Sequence, residues 1–88
     1  MYYFTVTQKI ESFEKFKPVF DSDEARRQSL GINTIAILKG LEDENEITVL
    51  MSAPDMKTIE QRTQDNIVRE KMKQAGVISK PEWKIYKS

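Results

Sequence analysis

The sequence predicts an α+β fold in the order βαββαβ, an antiparallel four-stranded sheet with its helices on one face. Three observations carry that expectation. Segments near 2–10, 33–41, 47–53 and 82–86 are rich in β-branched and aromatic residues and read as strands. The stretches between the first and second and between the third and fourth of these place apolar side chains at helical spacing. The connection between the second and third is short and polar, which suits a hairpin.

Taken in order, the first strand, Tyr2 to Ile10, turns Phe4, Val6 and Ile10 to one face and Thr5, Thr7 and Lys9 to the other. Ser12 is a suitable N-cap for a helix. Phe13, Phe16 and Phe20 then form one helical stripe, read as core. Pro18 lacks an N–H and its ring crowds the preceding turn, so a kink is expected there. A restart is expected near Asp21-Ser22-Asp23, with a second piece from Glu24 to Leu30 closed by Gly31. Asn33 to Leu41 and Ile47 to Ala53 form the hairpin, joined by Glu42-Asp43-Glu44-Asn45-Glu46. That acidic run lacks the glycine and the ligand spacing of a calcium loop, and no metal is expected.

Asp55 caps the next helix, whose inner stripe is Met56, Ile59 and Thr63. The apolar phase then slips and restarts as Val68, Met72 and Ala75, so a bend is expected at Asp65-Asn66. Gly76 ends that segment, and Glu82 to Tyr86 forms the last strand. No repeat, linker or low-complexity segment interrupts the chain, so residues 1–88 are expected to form a single domain.

Composition removes whole classes of function. There is no cysteine and no histidine, which leaves no disulfide, thiolate nucleophile, ordinary zinc site or histidine-ligated haem. No cofactor is expected on these grounds. Fourteen basic and fourteen acidic side chains cancel, and the segment Ile47 to Ala53 carries no aromatic residue. A sheet that reads RNA needs exposed aromatics on its central strands and a basic field, so no nucleic-acid partner is expected. No apolar run approaches the roughly 20 residues that span a bilayer, nor is there a basic, cleavable leader, and a cytoplasmic location is the default. The three glycines, Gly31, Gly40 and Gly76, are dispersed and form no phosphate loop.

A domain of this size buries only about 60% of its unfolded surface, so its core is thin. Small domains without disulfides or metals gain stability by association. The second and third strands, read as the central pair, carry apolar residues on both faces: Ile35 and Ile37 against Ala36 and Leu38, and Ile47, Val49 and Met51 against Leu50. The face away from the helices then needs a cover, and a two-fold homodimer supplies one.

Several segments resemble small, uncharacterised members of the dimeric α+β barrel superfamily with a ferredoxin-like fold. They are Ser12-Phe13-Glu14-Lys15-Phe16, the run from Val19 to Ala25, Gly31-Ile32, Asp55, and Met72 to Val77. The resemblance spans nearly the whole chain, rests on scaffold residues, and implies the fold and a dimer. The superfamily also holds cofactor-free monooxygenases, haem degraders and lactone isomerases. The haem degraders need a histidine that is absent here, while Asn33 and Trp83 are residue types that the monooxygenases use.

No nucleophile–base pair is visible. Five side chains are candidates for lining a ligand pocket between helices and sheet: Tyr3, Arg26, Asn33, Trp83 and Tyr86. Each also has a structural role open to it. Trp83 and Tyr86 suit an interface or core with a wet polar tip, Arg26 can pair with Asp23, and Asn33 can serve a turn. The chain therefore reads first as a small dimeric ligand-binding or interaction protein. The alternative is a cofactor-independent monooxygenase acting on a small aromatic or polyketide-like substrate.

Overall fold

A computed structural model describes residues 1–88. Strand β1 (Tyr2–Lys9) is followed by helices α1 (Phe13–Ser22) and α2 (Glu24–Ser29). Strands β2 (Asn33–Lys39) and β3 (Glu46–Ala53) form the hairpin, helices α3 (Met56–Thr63) and α4 (Asn66–Gln74) come next, and β4 (Glu82–Lys87) closes the chain. The sheet is antiparallel throughout, in the order β2-β3-β1-β4. This is the ferredoxin-like arrangement expected from the sequence.

The caps explain the helix boundaries. The Ser12 side chain accepts from the Lys15 backbone N–H, Asp55 from Thr58, and Asp65 from Ile67. Each satisfies an amide that the first helical turn leaves unbonded. The bend expected at Asp65-Asn66 is therefore real, with Asp65 starting α4. The kink expected at Pro18 is not. α1 runs through Pro18 to Ser22, and the restart expected near Asp21-Ser22-Asp23 falls at Asp23, ahead of α2. Phe16 is buried and stacks on Phe20 at 5.4 Å between centroids, which holds the turn around Pro18 together. The proline forfeits one hydrogen bond, to the carbonyl of exposed Glu14, and water can serve that carbonyl. Gly31 and Gly76 end their helices with φ of 77° and 81°, a conformation that favours glycine. Gly40 is required for a different reason: a Cβ there would lie 2.5 Å from the Asp43 carbonyl oxygen.

The pleat sorts the sheet into two faces. Phe4, Val6, Ile47, Val49, Met51 and Ala53 are buried beneath the helices, where they meet Phe16, Ile59 and Ala75 in one core. The opposite face is mixed, and this corrects the reading of β2 as a central strand. β2 lies at the edge, and a bulge between Thr34 and Ala36 shifts its register, so exposed Ile35 stands outside the simple alternation. The central strands are β1 and β3. Their open-face positions include Thr5, Thr7 and Thr48, and the hydroxyls of Thr7 and Thr48 hydrogen-bond at 2.8 Å. Apolar surface on that face comes from Tyr3, Leu50, Ala36, Leu38 and Tyr86, so it is amphipathic rather than uniformly apolar. No helix is long and apolar enough to cross a membrane.

Candidate functional site

The five side chains singled out from the sequence do not meet in one pocket. Asn33, Tyr3 and Tyr86 lie in a single cross-strand row on the open face, joined through Ser52 of β3. Arg26 sits at the junction of α2 with α4, where its Nε donates to Asp23 at 3.2 Å and its Nη1 to Asp65 at 3.0 Å. Burial alone would lower the Arg26 pKa, but the bonds and charges of Asp65 and Asp23 outweigh it and raise the value. Asp65 responds in kind. Burial would raise its pKa, but the bonds from Arg26 and from the backbone of Ile67 and Val68 hold it below the ordinary carboxylate value. Trp83 alone of the five lies between helices and sheet, half-buried and stacked on Phe4 at 6.1 Å.

A different cluster occupies the helix–sheet interface. A cavity of about 40 Å³ lies among apolar side chains of β1, β3, α1 and α4; Asp23 and Lys71 line it, and so do three further long polar residues, Gln8, Arg27 and Arg62. The exposures of these last three are 4%, 2% and 7%, which makes them part of the interior. Gln8 comes from β1, where it shares the inward phase of Phe4 and Val6. Arg27 extends the inner stripe of Phe16, Phe20 and Asp23 across the α1–α2 break, and Arg62 comes one turn after Ile59 on α3.

Their polar atoms are incompletely matched. The Arg27 guanidinium lies 3.8 Å from the centroid of the Phe20 ring and its Nη1 donates to the Phe20 carbonyl, while its Nε has no acceptor. Arg62 bonds to nothing through Nε or Nη1, and the Gln8 Oε1 has no donor. Nearly all buried polar groups in folded proteins are paired, and a buried cation without a partner costs several kcal/mol. Burial and then the neighbouring charge of Arg27 pull the Arg62 pKa down to about 10, and burial likewise lowers that of Arg27. Arg62 thus stays charged at neutral pH, beside a second buried cation, with Asp23 already engaged by Arg26.

Beside the cavity lies a wider groove of about 590 Å³ between α4, the 76–81 connection and β4, with Arg62, Val68 and Met72 lining both spaces. The groove also carries Arg69, Lys73 and Lys80, and no acidic residue lines it. Its floor includes Val77, Pro81 and Trp83. The connection is held in place by the end of β1: Ile78 N–H donates to the Lys9 carbonyl, and Ser79 accepts from the Lys9 N–H at 2.8 Å. A groove of this volume with an apolar floor and a few convergent polar groups is of the size that small-molecule sites have.

The sequence signal for this cluster was a polar residue in phase with an apolar stripe. Gln8 falls between Val6 and Ile10 on the inward face, Arg27 lies seven residues after Phe20, and Arg62 three after Ile59. A stripe drawn through Met56, Ile59 and Thr63 passes beside Arg62 and misses it.

No family model matches this sequence, and no curated protein does. Solved structures do match in fold. A candidate antibiotic biosynthesis monooxygenase from Bordetella bronchiseptica superposes with a TM-score of 0.77 at 11% identity, over 99% of this chain and 95% of that one. A conserved protein from Methanosarcina mazei gives 0.72 at 16% identity, over 97% and 89%. The cofactor-independent oxygenase SnoaB from Streptomyces nogalater gives 0.69 at 11%, over 99% and 91%. The ferredoxin-like fold drawn from the sequence therefore holds.

Proposed function

We propose that this protein binds a small molecule between its helix layer and its sheet, as a two-fold homodimer joined through the open sheet face. One observation carries the binding reading: Arg62 is 7% exposed, charged at neutral pH, and without an acceptor for two of its nitrogens. A side chain held at such a cost is explained by a partner that is not part of the chain. The adjoining groove gives that partner entry.

The test is fragment binding observed by amide NMR, with single-ring acids, bases and neutral compounds as probes. Shifts confined to Gln8, Arg62, Val68, Met72 and Trp83 support the reading. Shifts scattered over the surface, or none from any probe, refute it. Light scattering coupled to size exclusion at about 10 µM tests the dimer, which a mass equal to that of one chain would exclude.

The fold shared with SnoaB favours a second reading, cofactor-independent oxidation of a small aromatic or polyketide-like substrate. Oxygen uptake with anthrone as probe, above the protein-free rate and lost in Trp83→Leu, would favour turnover over binding alone.

A further inference from the structure

We infer that the ligand of this site is an organic carboxylate, with its charged head on Arg62 at the neck between cavity and groove and its apolar body along the Trp83 floor. The inference rests on the binding reading above and names its ligand class.

Charge supplies the first argument. The chain is neutral overall, yet the groove gathers Arg62, Arg69, Lys73 and Lys80 with no acid among its lining residues. None of the four takes part in an ion pair within the chain, although acids elsewhere bind Lys9, Lys15, Lys17 and Arg26. Cations gathered on one concave surface focus a positive potential into it and draw anions from solution.

Geometry supplies the second. Arg62 lines both the cavity and the groove, so it stands at the neck between them. Its unpaired Nε and Nη1 are donors only, and a charged donor of this kind favours a carboxylate oxygen. The cavity, at about 40 Å³, has room for a small head and no more. Gln8, Arg27 and Lys71 line that space, as does Asp23, whose carboxylate is already held by Arg26, and the unpaired Arg27 Nε offers one further donor. The body of the ligand must then lie in the groove, where Met72, Val77, Pro81 and half-buried Trp83 form an apolar surface. A flat or branched apolar group fits that surface, whereas an inorganic anion would leave it unused.

Trp83 is the only tryptophan of the chain, so its fluorescence reports on the groove without labelling. The experiment titrates the full-length protein with 4-isopropylbenzoate, with its neutral amide, and with inorganic phosphate, at low and raised salt. The expected result is quenching by the carboxylate with an affinity at least about tenfold above that of the amide, weakening as salt rises. Phosphate is expected to bind more weakly than the carboxylate. Arg62→Met should erase the preference for acid over amide. Because a core change can perturb folding, Arg69→Gln/Lys73→Gln, at two exposed positions, serves as the second variant and should lower carboxylate affinity severalfold. Equal binding of acid and amide would overturn the inference while leaving the binding reading intact. Phosphate binding as tight as the carboxylate's would overturn the role of the Trp83 floor. Binding of none of the three would overturn the inference and the binding reading together.

Discussion

At the junction of α2 with α4, Arg26 is partly exposed and reaches two carboxylates. One layer deeper, Arg62 is buried and reaches none. Stability alone would arrange these two residues the other way, with the paired cation inside and the unpaired one in water. The Arg26 junction is therefore built for the fold: Asp65 caps α4 and anchors α2 through a single side chain. The Arg62 neighbourhood is built at the expense of the fold, and positions that lower stability in the free protein are where binding sites are found. The same test separates the two sheet faces. The inner face is apolar at its centre except where Gln8 interrupts it, with Thr34 and Lys39 confined to the edge strand β2, and the outer face mixes threonines with Leu50, Tyr3 and Tyr86 as an association surface does.

The largest effect should come from the shared floor. Phe4 is fully buried and stacks on Trp83, so Phe4→Ala should cost about 3–5 kcal/mol in urea unfolding and should move the Trp83 emission to longer wavelength. A loss below about 1 kcal/mol would mean that this floor is not packed as described. Next comes the paired junction. Asp65→Ala removes a helix cap, at about 1 kcal/mol, together with an ion pair of up to about 1 kcal/mol. Loss of helical circular dichroism alongside the drop in unfolding midpoint would confirm that α4 depends on that cap.

Acid should act on the same junction with a defined sign. The folded-state pKa of Asp65 lies below its unfolded value, so its contribution is complete above the unfolded value of 3.8 and fades as pH falls through the folded one. Unfolding midpoints recorded from neutral pH down to about pH 2 should fall less steeply in Asp65→Asn than in the native sequence. The smallest effect belongs to the surface. Lys17 and Asp21 meet at 2.7 Å on the exposed side of α1, and Lys17→Ala should change stability by no more than about 0.5 kcal/mol. A larger change would show that exposed pairs matter here, and would weaken the contrast drawn between Arg26 and Arg62.

Local signals in the sequence carried the fold well because each has a short-range cause. Ser12, Asp55 and Asp65 act on amides two or three residues away, and Gly31 and Gly76 supply a backbone conformation in place. Pro18 misled because its local preference was offset within the helix itself, by the stacking of Phe16 on Phe20 one turn apart and by the exposure of the carbonyl it leaves unbonded. The edge position of β2 and its bulge depend on strand order and register, which composition does not encode. The site was legible only in part. Trp83 stands out as a residue type, whereas Gln8, Arg27 and Arg62 are ordinary residues whose meaning comes from converging from three separate elements. Asn33, Tyr3 and Tyr86 were drawn together by chemistry and do stand in one row, but on the face away from the helices.

The measurement that bears most directly on the central claim is the urea unfolding of Arg62→Met against the native protein, both free of ligand at neutral pH. If Arg62 is an unpaired buried cation kept for a ligand, a methionine, flexible and apolar, removes the cost and keeps the packing made by the aliphatic stem. The midpoint should then rise, by the equivalent of about 1–3 kcal/mol. A midpoint lowered by a comparable amount would contradict the account, since Arg62 would then be holding the fold together.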